Sequence, residues 1–139
     1  MQPTRALQKD VIEIPINVES DIVRARGAGR DMCRELGMNE INQVKVATAI
    51  SELARNIFHY AKTGLVVLKR LPPPRPGIEI VASDNGPGIP DLKLVMSGGY
   101  QSRTGMGKGM LGCKRLMDHF DVVTAPERGT TVTMRKHAK

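Results

Sequence analysis

Short segments rich in apolar and β-branched residues, some strictly alternating with polar ones, predict five β-strands. Pro15 lies in the first segment and indicates an edge position or a strand end, because proline has no N–H for a ladder bond. Residues 72–77 contain four prolines and must form a turn, and residues 126–129 connect the last two strands. The predicted strands are residues 11–16, 65–71, 78–83, 120–124 and 130–136.

Three longer segments predict helices at about residues 21–36, 40–61 and 107–119. In the second helix, which Asn39 can cap, apolar residues fall at positions i, i+4, i+7 and i+11 and predict one buried stripe. The residues of this stripe are Val46, Ile50, Leu53 and Ile57.

Gly27 and Gly29 interrupt the first predicted helix, and Gly37 follows its end in the position of a C-cap. Internal glycines weaken a helix, and here they indicate a place of close packing. The order β-α-α-β-β-loop-α-β-β predicts an α+β fold, a two-layer sandwich in which helices cover one face of a mixed, mostly antiparallel sheet. We expect residues 1–139 to form one domain.

Composition narrows the function classes. Hydrophobic residues make up 40% of the chain and aromatic residues only 3%, so the core must be aliphatic. The net charge is +7, but the basic residues are scattered and there are few rings for base stacking. The sequence therefore gives little support to nucleic-acid binding, whereas binding of an anionic nucleotide explains part of the positive charge.

Cys33 and Cys113 match no metal-site spacing. No apolar stretch spans a membrane, and we expect a cytoplasmic protein.

Glu52 and Asn56 lie four residues apart on the second helix and therefore on one side of it, beside the apolar stripe. A carboxylate and an amide oxygen so placed can hold a water and a hard cation. Mg²⁺ keeps several waters and needs few protein ligands. Taken alone, the pair is more simply an ordinary solvated helix face.

Asp84, Asn85, Gly86, Pro87 and Gly88 follow a predicted strand directly. The aspartate can accept a hydrogen bond from an exocyclic amine such as that of adenine, and the glycines let a flat ligand approach the backbone. A plain turn is an equally good interpretation, because these residue types are the common turn formers.

A glycine-rich segment precedes and opens the last predicted helix. Free N–H groups and the positive end of a helix dipole favour a phosphate chain there, and Lys108 adds a cation. The dinucleotide fingerprint is rejected because no strand directly precedes the segment, and the Walker A pattern fails because Gly109 follows the lysine. The candidate phosphate-binding residues are Gly105, Gly107, Lys108, Gly109 and Gly112.

In order and spacing, these segments resemble the boxes of the GHKL ATPases, the superfamily of histidine kinases, gyrase B, Hsp90 and MutL. Residues 49–57 resemble the N box, residues 84–91 the G1 box and residues 105–112 the G2 box. Together with residues 114–118, the last two boxes look most like the RsbT-like serine/threonine-protein kinases of the bacterial stressosome and partner-switching systems. Lys108 departs from the small residue common in relatives.

The resemblance implies a Bergerat-type ATP-binding fold and a set of residue roles. Asn56 would ligate Mg²⁺, Asp84 would bind the adenine amine, and Thr130 would join the adenine water network. Gly88 would support the base, Gly86 would belong to the same nucleotide-binding turn, and Glu52 would be the general base. The phosphates would be wrapped by Gly105, Gly107, Gly109 and Gly112.

For function, the resemblance implies an ATP- and Mg²⁺-dependent kinase that phosphorylates Ser or Thr on STAS-domain scaffold proteins. It would then bind and activate a PP2C-type phosphatase, with no nucleic-acid or membrane partner. The alternative is an ATP-binding module that mainly sequesters a protein partner, as related anti-sigma factors do. Both classes carry the same boxes.

Overall fold

The computed structural model describes residues 10–89, residue 96 and residues 106–138, with the backbone alone for residues 106–108. Along the chain the elements are β1, α1, α2, a π-helical turn, β2, β3, α3, β4 and β5. Their bounds are Val11–Ile16 for β1, Ser20–Glu35 for α1, Glu40–Asn56 for α2, Ile57–Ala61 for the π-turn, Gly64–Leu71 for β2, Gly77–Asp84 for β3, Met106–Leu116 for α3, His119–Ala125 for β4 and Gly129–His137 for β5.

The five strands form one sheet in the order β1-β2-β3-β5-β4, and every pairing between them is antiparallel. One row of the register runs across all five strands and consists of apolar residues that face the helices. This row is Ile14, Val66, Ala82, Val132 and Val122. The predicted two-layer α+β architecture is therefore confirmed, with the core between the sheet and one helical layer.

The apolar stripe predicted for the second helix is buried. Val46 and Ile50 are fully buried, and Leu53 and Ile57 are each 2% exposed. Asn39 caps α2 as predicted, since its side chain accepts the backbone N–H of Asn42 at 2.8 Å. Burial of this stripe brings the face that also carries Glu52 close to the sheet and to α3.

The glycines of α1 have different surroundings. An added Cβ at Gly29 would overlap the buried Ile50 side chain, whereas an added Cβ at Gly27 would meet nothing within 4 Å. The close packing predicted from the glycines is therefore present at Gly29, where α1 packs on α2, and not at Gly27.

The end of the second helix differs from the prediction of one α-helix to residue 61. The α-helix ends at Asn56, and a π-helical turn from Ile57 to Ala61 follows it. A π-turn inserts an extra residue per turn and changes which side chains share a face. Lys62, at φ 74°, then leads the chain away toward β2.

In the part of the chain that the structure describes, no helix has the length and apolar character needed to cross a lipid bilayer.

Candidate functional site

A cavity lies between the end of α2, the π-turn, the ends of β3 and β5, and α3. Its volume is about 40 Å³, and its walls are mainly apolar. The lining residues are Leu53, Asn56, Ile57, Tyr60, Ala82, Asp84, Pro87, Gly88, Ile89, Met110, Thr130 and Val132.

Four of the residues predicted from sequence meet in this cavity, namely Asn56, Asp84, Gly88 and Thr130. They come from α2, β3, the turn after β3 and β5, so the fold joins segments that are up to 74 positions apart in the sequence. The π-turn contributes to this convergence, because Asn56, Ile57 and Tyr60 all face the cavity.

Asp84 is the last residue of β3 and lies opposite Thr130 of β5 in the register. Its Oδ1 atom accepts the backbone N–H of Gly86 at 2.9 Å, which fixes the carboxylate against the turn. Among the described residues, no donor meets the second oxygen, Oδ2. Asp84 is also one of the residues that line the cavity.

The turn after Asp84 is closely packed, and this explains both of its glycines. Gly88 has a φ of 82°, and an added Cβ would lie 2.5 Å from the carbonyl oxygen of Ala125. At Gly86 an added Cβ would lie 2.6 Å from the Cβ of Ala61 in the π-turn. Any side chain at either position would therefore displace the turn that carries Asp84.

The hydroxyl of Thr130 bonds to Thr124 of the neighbouring strand, with 3.0 Å between the two oxygens. Thr124 Oγ1 also accepts the backbone N–H of Ile89 at 2.9 Å and so ties the turn to β4. The resemblance predicts that Thr130 joins the adenine water network, but it assigns no role to Thr124. No local signal marks Thr124, because its role depends on the pairing of β4 with β5.

Glu52 lies one turn before Asn56, and its carboxylate is contacted on two sides. Oε1 accepts a hydrogen bond from Nη1 of Arg55 at 2.9 Å. On the other side, an added Cβ at Gly109 would lie 2.7 Å from Oε2, so the bare α-carbon of that glycine makes room for the carboxylate. The Glu52 side chain is 31% exposed and therefore remains accessible from solvent.

The structure describes only part of the predicted phosphate segment. Gly105 and the side chain of Lys108 lie outside the described residues. Gly107 and Gly109 lie in the first turn of α3, and Gly109 packs against Glu52. Gly112 lies about one turn further along, where an added Cβ would meet nothing within 4 Å.

The cysteines support α1 and α3 and take no part in the cavity. Burial, with a smaller contribution from the negative charge of Glu52, raises the pKa of the Cys113 thiol to about 12. Its Sγ donates to the carbonyl oxygen of Ala49 at 3.5 Å and connects α3 to α2. Burial likewise raises the pKa of Cys33 to about 12. Both thiols stay protonated at neutral pH.

The donor set decides what kind of cation the site can hold. The described residues contain no group of three or more His, Cys, Asp or Glu side chains that could enclose a metal ion. Asn56 offers one amide oxygen at the edge of the cavity. This set fits Mg²⁺, which takes few protein ligands and completes its shell with waters and phosphate oxygens.

Comparison with known families and relatives agrees with this geometry. Residues 41–139 match the family model described as histidine kinase-, DNA gyrase B- and HSP90-like ATPase. The chain is 42% identical over 120 residues to the serine/threonine-protein kinase RsbT of Bacillus subtilis strain 168. That match spans 86% of this chain and 90% of the relative.

Two solved structures share the fold at low sequence identity. The RsbU and RsbW domains of Rv1364c from Mycobacterium tuberculosis match with a TM-score of 0.65 at 14% identity, over 94% of this chain and 33% of that one. The histidine kinase domain of the blue-light activated kinase EL346 from Erythrobacter litoralis matches with a TM-score of 0.54 at 15% identity. That match covers 94% of this chain and 65% of the other.

A family match over most of the chain, a close relative over nearly its full length and a cavity built from the box segments all agree. The chain belongs to the histidine kinase-, DNA gyrase B- and HSP90-like ATPases and, within them, to the RsbT-like serine/threonine-protein kinases.

Proposed function

We propose that the chain is an ATP- and Mg²⁺-dependent kinase that transfers the γ-phosphoryl group to a Ser or Thr of a STAS-domain partner protein. One observation carries this proposal. Glu52 lies between the cavity residue Asn56 and the beginning of α3, with its carboxylate against Gly109. A carboxylate at this point is close to where the phosphates would lie.

Adenine would enter the apolar part of the cavity. Asp84 Oδ2 would accept a hydrogen bond from the exocyclic amine, since Oδ1 is already occupied by Gly86. The backbone at Gly88 would support the base, and Thr130 would join the network of ordered water around it. Apolar walls with a few placed polar atoms are typical of sites that bind small molecules.

The phosphate chain would then extend toward the beginning of α3. There N–H groups and the helix dipole favour negative charge. Asn56 would hold Mg²⁺, which supplies neutralisation of charge on the phosphate oxygens. The phosphates would be wrapped by Gly105, Gly107, Lys108, Gly109 and Gly112.

In the transfer step, Glu52 would accept the proton of the partner's hydroxyl group. The hydroxyl oxygen forms a bond to the γ-phosphorus while the bond from that phosphorus to the bridging oxygen of ADP breaks. ADP leaves with the electron pair of the broken bond, and Glu52 ends protonated. The protein contributes mainly position and charge, as is usual in phosphoryl transfer.

The identity of the partner is inferred from the resemblance to RsbT-like kinases. The relative at 42% identity is named a serine/threonine-protein kinase, and this supports the reaction class. A STAS-domain scaffold as acceptor, subsequent activation of a PP2C-type phosphatase and a cytoplasmic location belong to this proposal.

The test is the Glu52→Ala variant. We expect it to keep its affinity for ATP while phosphoryl transfer falls by about 10²-fold or more, because general-base catalysis contributes about 10² to 10⁴ in rate. Transfer is measured with γ-labelled ATP and the STAS-domain proteins of the same genome, and affinity is measured by calorimetric titration with MgATP.

Glu40→Ala is a matched control, because Glu40 is on the same helix and its side chain is 85% exposed. It should transfer at the unmodified rate. Equal transfer by the Glu52→Ala variant would remove Glu52 from the mechanism. ATP binding without transfer to any STAS protein would instead favour a module that sequesters its partner.

A further inference from the structure

Arg55 contacts the Glu52 carboxylate, and the boxes assign it no role. It lies three positions after Glu52 and directly before Asn56. Its Nη1 atom donates to Glu52 Oε1 at 2.9 Å. The arginine side chain is 44% exposed and that of Glu52 is 31% exposed. Neither residue lines the cavity, but the neighbouring Asn56 does.

The two contacts of Glu52 leave its carboxylate little freedom to rotate. Arg55 engages Oε1 on one side, and the α-carbon of Gly109 lies against Oε2 on the other. Rotation of the carboxylate would break the bond to the guanidinium or move an oxygen into α3. A guanidinium is planar and presents its donors in a rigid fork, so it orients a carboxylate more strictly than an ammonium group does.

An ion pair of this kind contributes little to folding. Pairs between exposed side chains stabilise a protein by about 0.2–1 kcal/mol, because solvent screens the charges and ordering the side chains costs entropy. The described ion pairs of α1, for example Arg34 with Asp31 at 3.2 Å, show the same spacing on a helix that contributes no residue to the cavity lining. The location of the Arg55 pair, not its strength, distinguishes it.

We propose that Arg55 is a positioning residue that holds the Glu52 carboxylate in the orientation that receives the proton of the acceptor hydroxyl. This inference rests on the proposed function, in which Glu52 is the general base. Arg55 acts through Glu52 and does not contact the phosphates. Its loss therefore lowers the rate of transfer and leaves ATP binding unchanged.

The experiment compares Arg55→Gln, Arg55→Lys and the double variant Glu52→Ala/Arg55→Gln with the unmodified chain. We expect Arg55→Gln to lower kcat by about 10-fold to 100-fold, because a misplacement of about 1 Å has effects of that size, with little change in KM for ATP. Arg55→Lys should recover part of the lost rate, since an ammonium group can still pair with Glu52 but orients it less well.

The double variant separates action through Glu52 from direct action on the phosphates. In the Glu52→Ala background, Arg55→Gln should change kcat less than about twofold, because the carboxylate that it positions is already absent. Arg34→Gln, which breaks the exposed pair on α1, is the matched control and should leave kcat and KM unchanged. Thermal unfolding midpoints of all variants should agree within a few degrees.

The possible outcomes distinguish the positioning role from the proposed function. Normal transfer by Arg55→Gln would overturn the positioning role while Glu52 remains the base. If Arg55→Gln lowers kcat by the same factor in the unmodified chain and in the Glu52→Ala background, or lowers the affinity for ATP, the positioning role is overturned. Either result would favour direct contact of Arg55 with the phosphates. Failure of the unmodified chain to transfer, or normal transfer by Glu52→Ala, would overturn the proposed function and this inference with it.

Discussion

At the scale of single residues, Asp84 holds a turn in place, and we propose that the same carboxylate also recognises the base. Asp84 uses Oδ1 to hold the turn through Gly86, and this leaves Oδ2 directed to no other described group. The conformation of this turn depends on the absence of side chains at Gly86 and Gly88. An acceptor that is fixed in this way loses little conformational entropy when a donor binds, which favours selective recognition of an amine.

The Asp84→Asn variant tests this arrangement. Its carboxamide can still accept one hydrogen bond, but it removes the charge and places an NH₂ group near either the turn or the base. We expect the affinity for MgATP to fall by about 10-fold to 100-fold, since a hydrogen bond to a charged group contributes about 1.5–3 kcal/mol. Calorimetric titration measures the change.

Asp121→Asn is the control for this variant, because Asp121 is an exposed aspartate on β4. Its affinity for MgATP should equal that of the unmodified chain. An unchanged affinity in Asp84→Asn as well would show that Asp84 does not bind the base.

At the scale of elements, the position of α2 controls the site, because this helix carries Glu52, Arg55 and Asn56. Its apolar stripe is buried, its first turn is capped by Asn39, and its neighbour α1 packs closely at Gly29. The π-turn at its end then adds further residues to the cavity wall. The positions of the proposed catalytic residues therefore depend on how α1 and α2 pack together.

The two glycines of α1 provide a matched pair of variants. Gly27→Ala should raise the free energy of unfolding by about 0.5–1 kcal/mol, because alanine favours the helix and nothing lies within 4 Å of the added carbon. Gly29→Ala should lower it by about 1 kcal/mol or more, because the added carbon overlaps the buried Ile50 side chain and overpacking exceeds the gain in propensity.

Urea unfolding followed by circular dichroism measures both variants. If Gly29→Ala is stabilised as much as Gly27→Ala, then the close contact between α1 and α2 does not exist in solution. Gly29→Ala should also reduce phosphoryl transfer more than Gly27→Ala, since it displaces the helix that carries Glu52.

At the scale of the whole molecule, the buried thiols make stability depend on alkaline pH. Cys33 and Cys113 have a pKa of about 12 in the folded state, compared with an ordinary value of 9.0. The folded state therefore holds these protons where the unfolded state releases them. Their contribution to stability is fully present below about pH 9 and is lost as the pH rises from about 9 to 12.

By about pH 10 we expect this linkage to destabilise the fold by about 1.4 kcal/mol for each thiol. The free energy of unfolding in urea is compared at about pH 8 and about pH 10 for the unmodified chain and for the Cys33→Ala/Cys113→Ala variant. We expect the variant to be less stable than the unmodified chain at both pH values. Its free energy of unfolding should nevertheless fall less between the two pH values. If the free energy of unfolding falls by the same amount in the two proteins, then burial does not raise the pKa of the thiols.

Periodicity along the chain was sufficient to predict the order of elements, the antiparallel sheet and the apolar stripe of α2. These features follow from repeated backbone geometry, which each segment expresses in its own residue pattern. The N-box, G1-box and G2-box residues were also visible, because their spacing recurs in the family, and the cavity brings together Asn56, Asp84, Gly88 and Thr130.

Contacts between distant segments had no such signal. The bond between Thr124 and Thr130 depends on the pairing of β4 with β5, and the contact of Gly109 with Glu52 depends on how α3 crosses α2. The π-turn after Asn56 reflects packing at the end of a helix whose local pattern continues to favour α-helix. Side-chain partners such as these are set by distances and crossing angles between elements, which no single segment of sequence encodes.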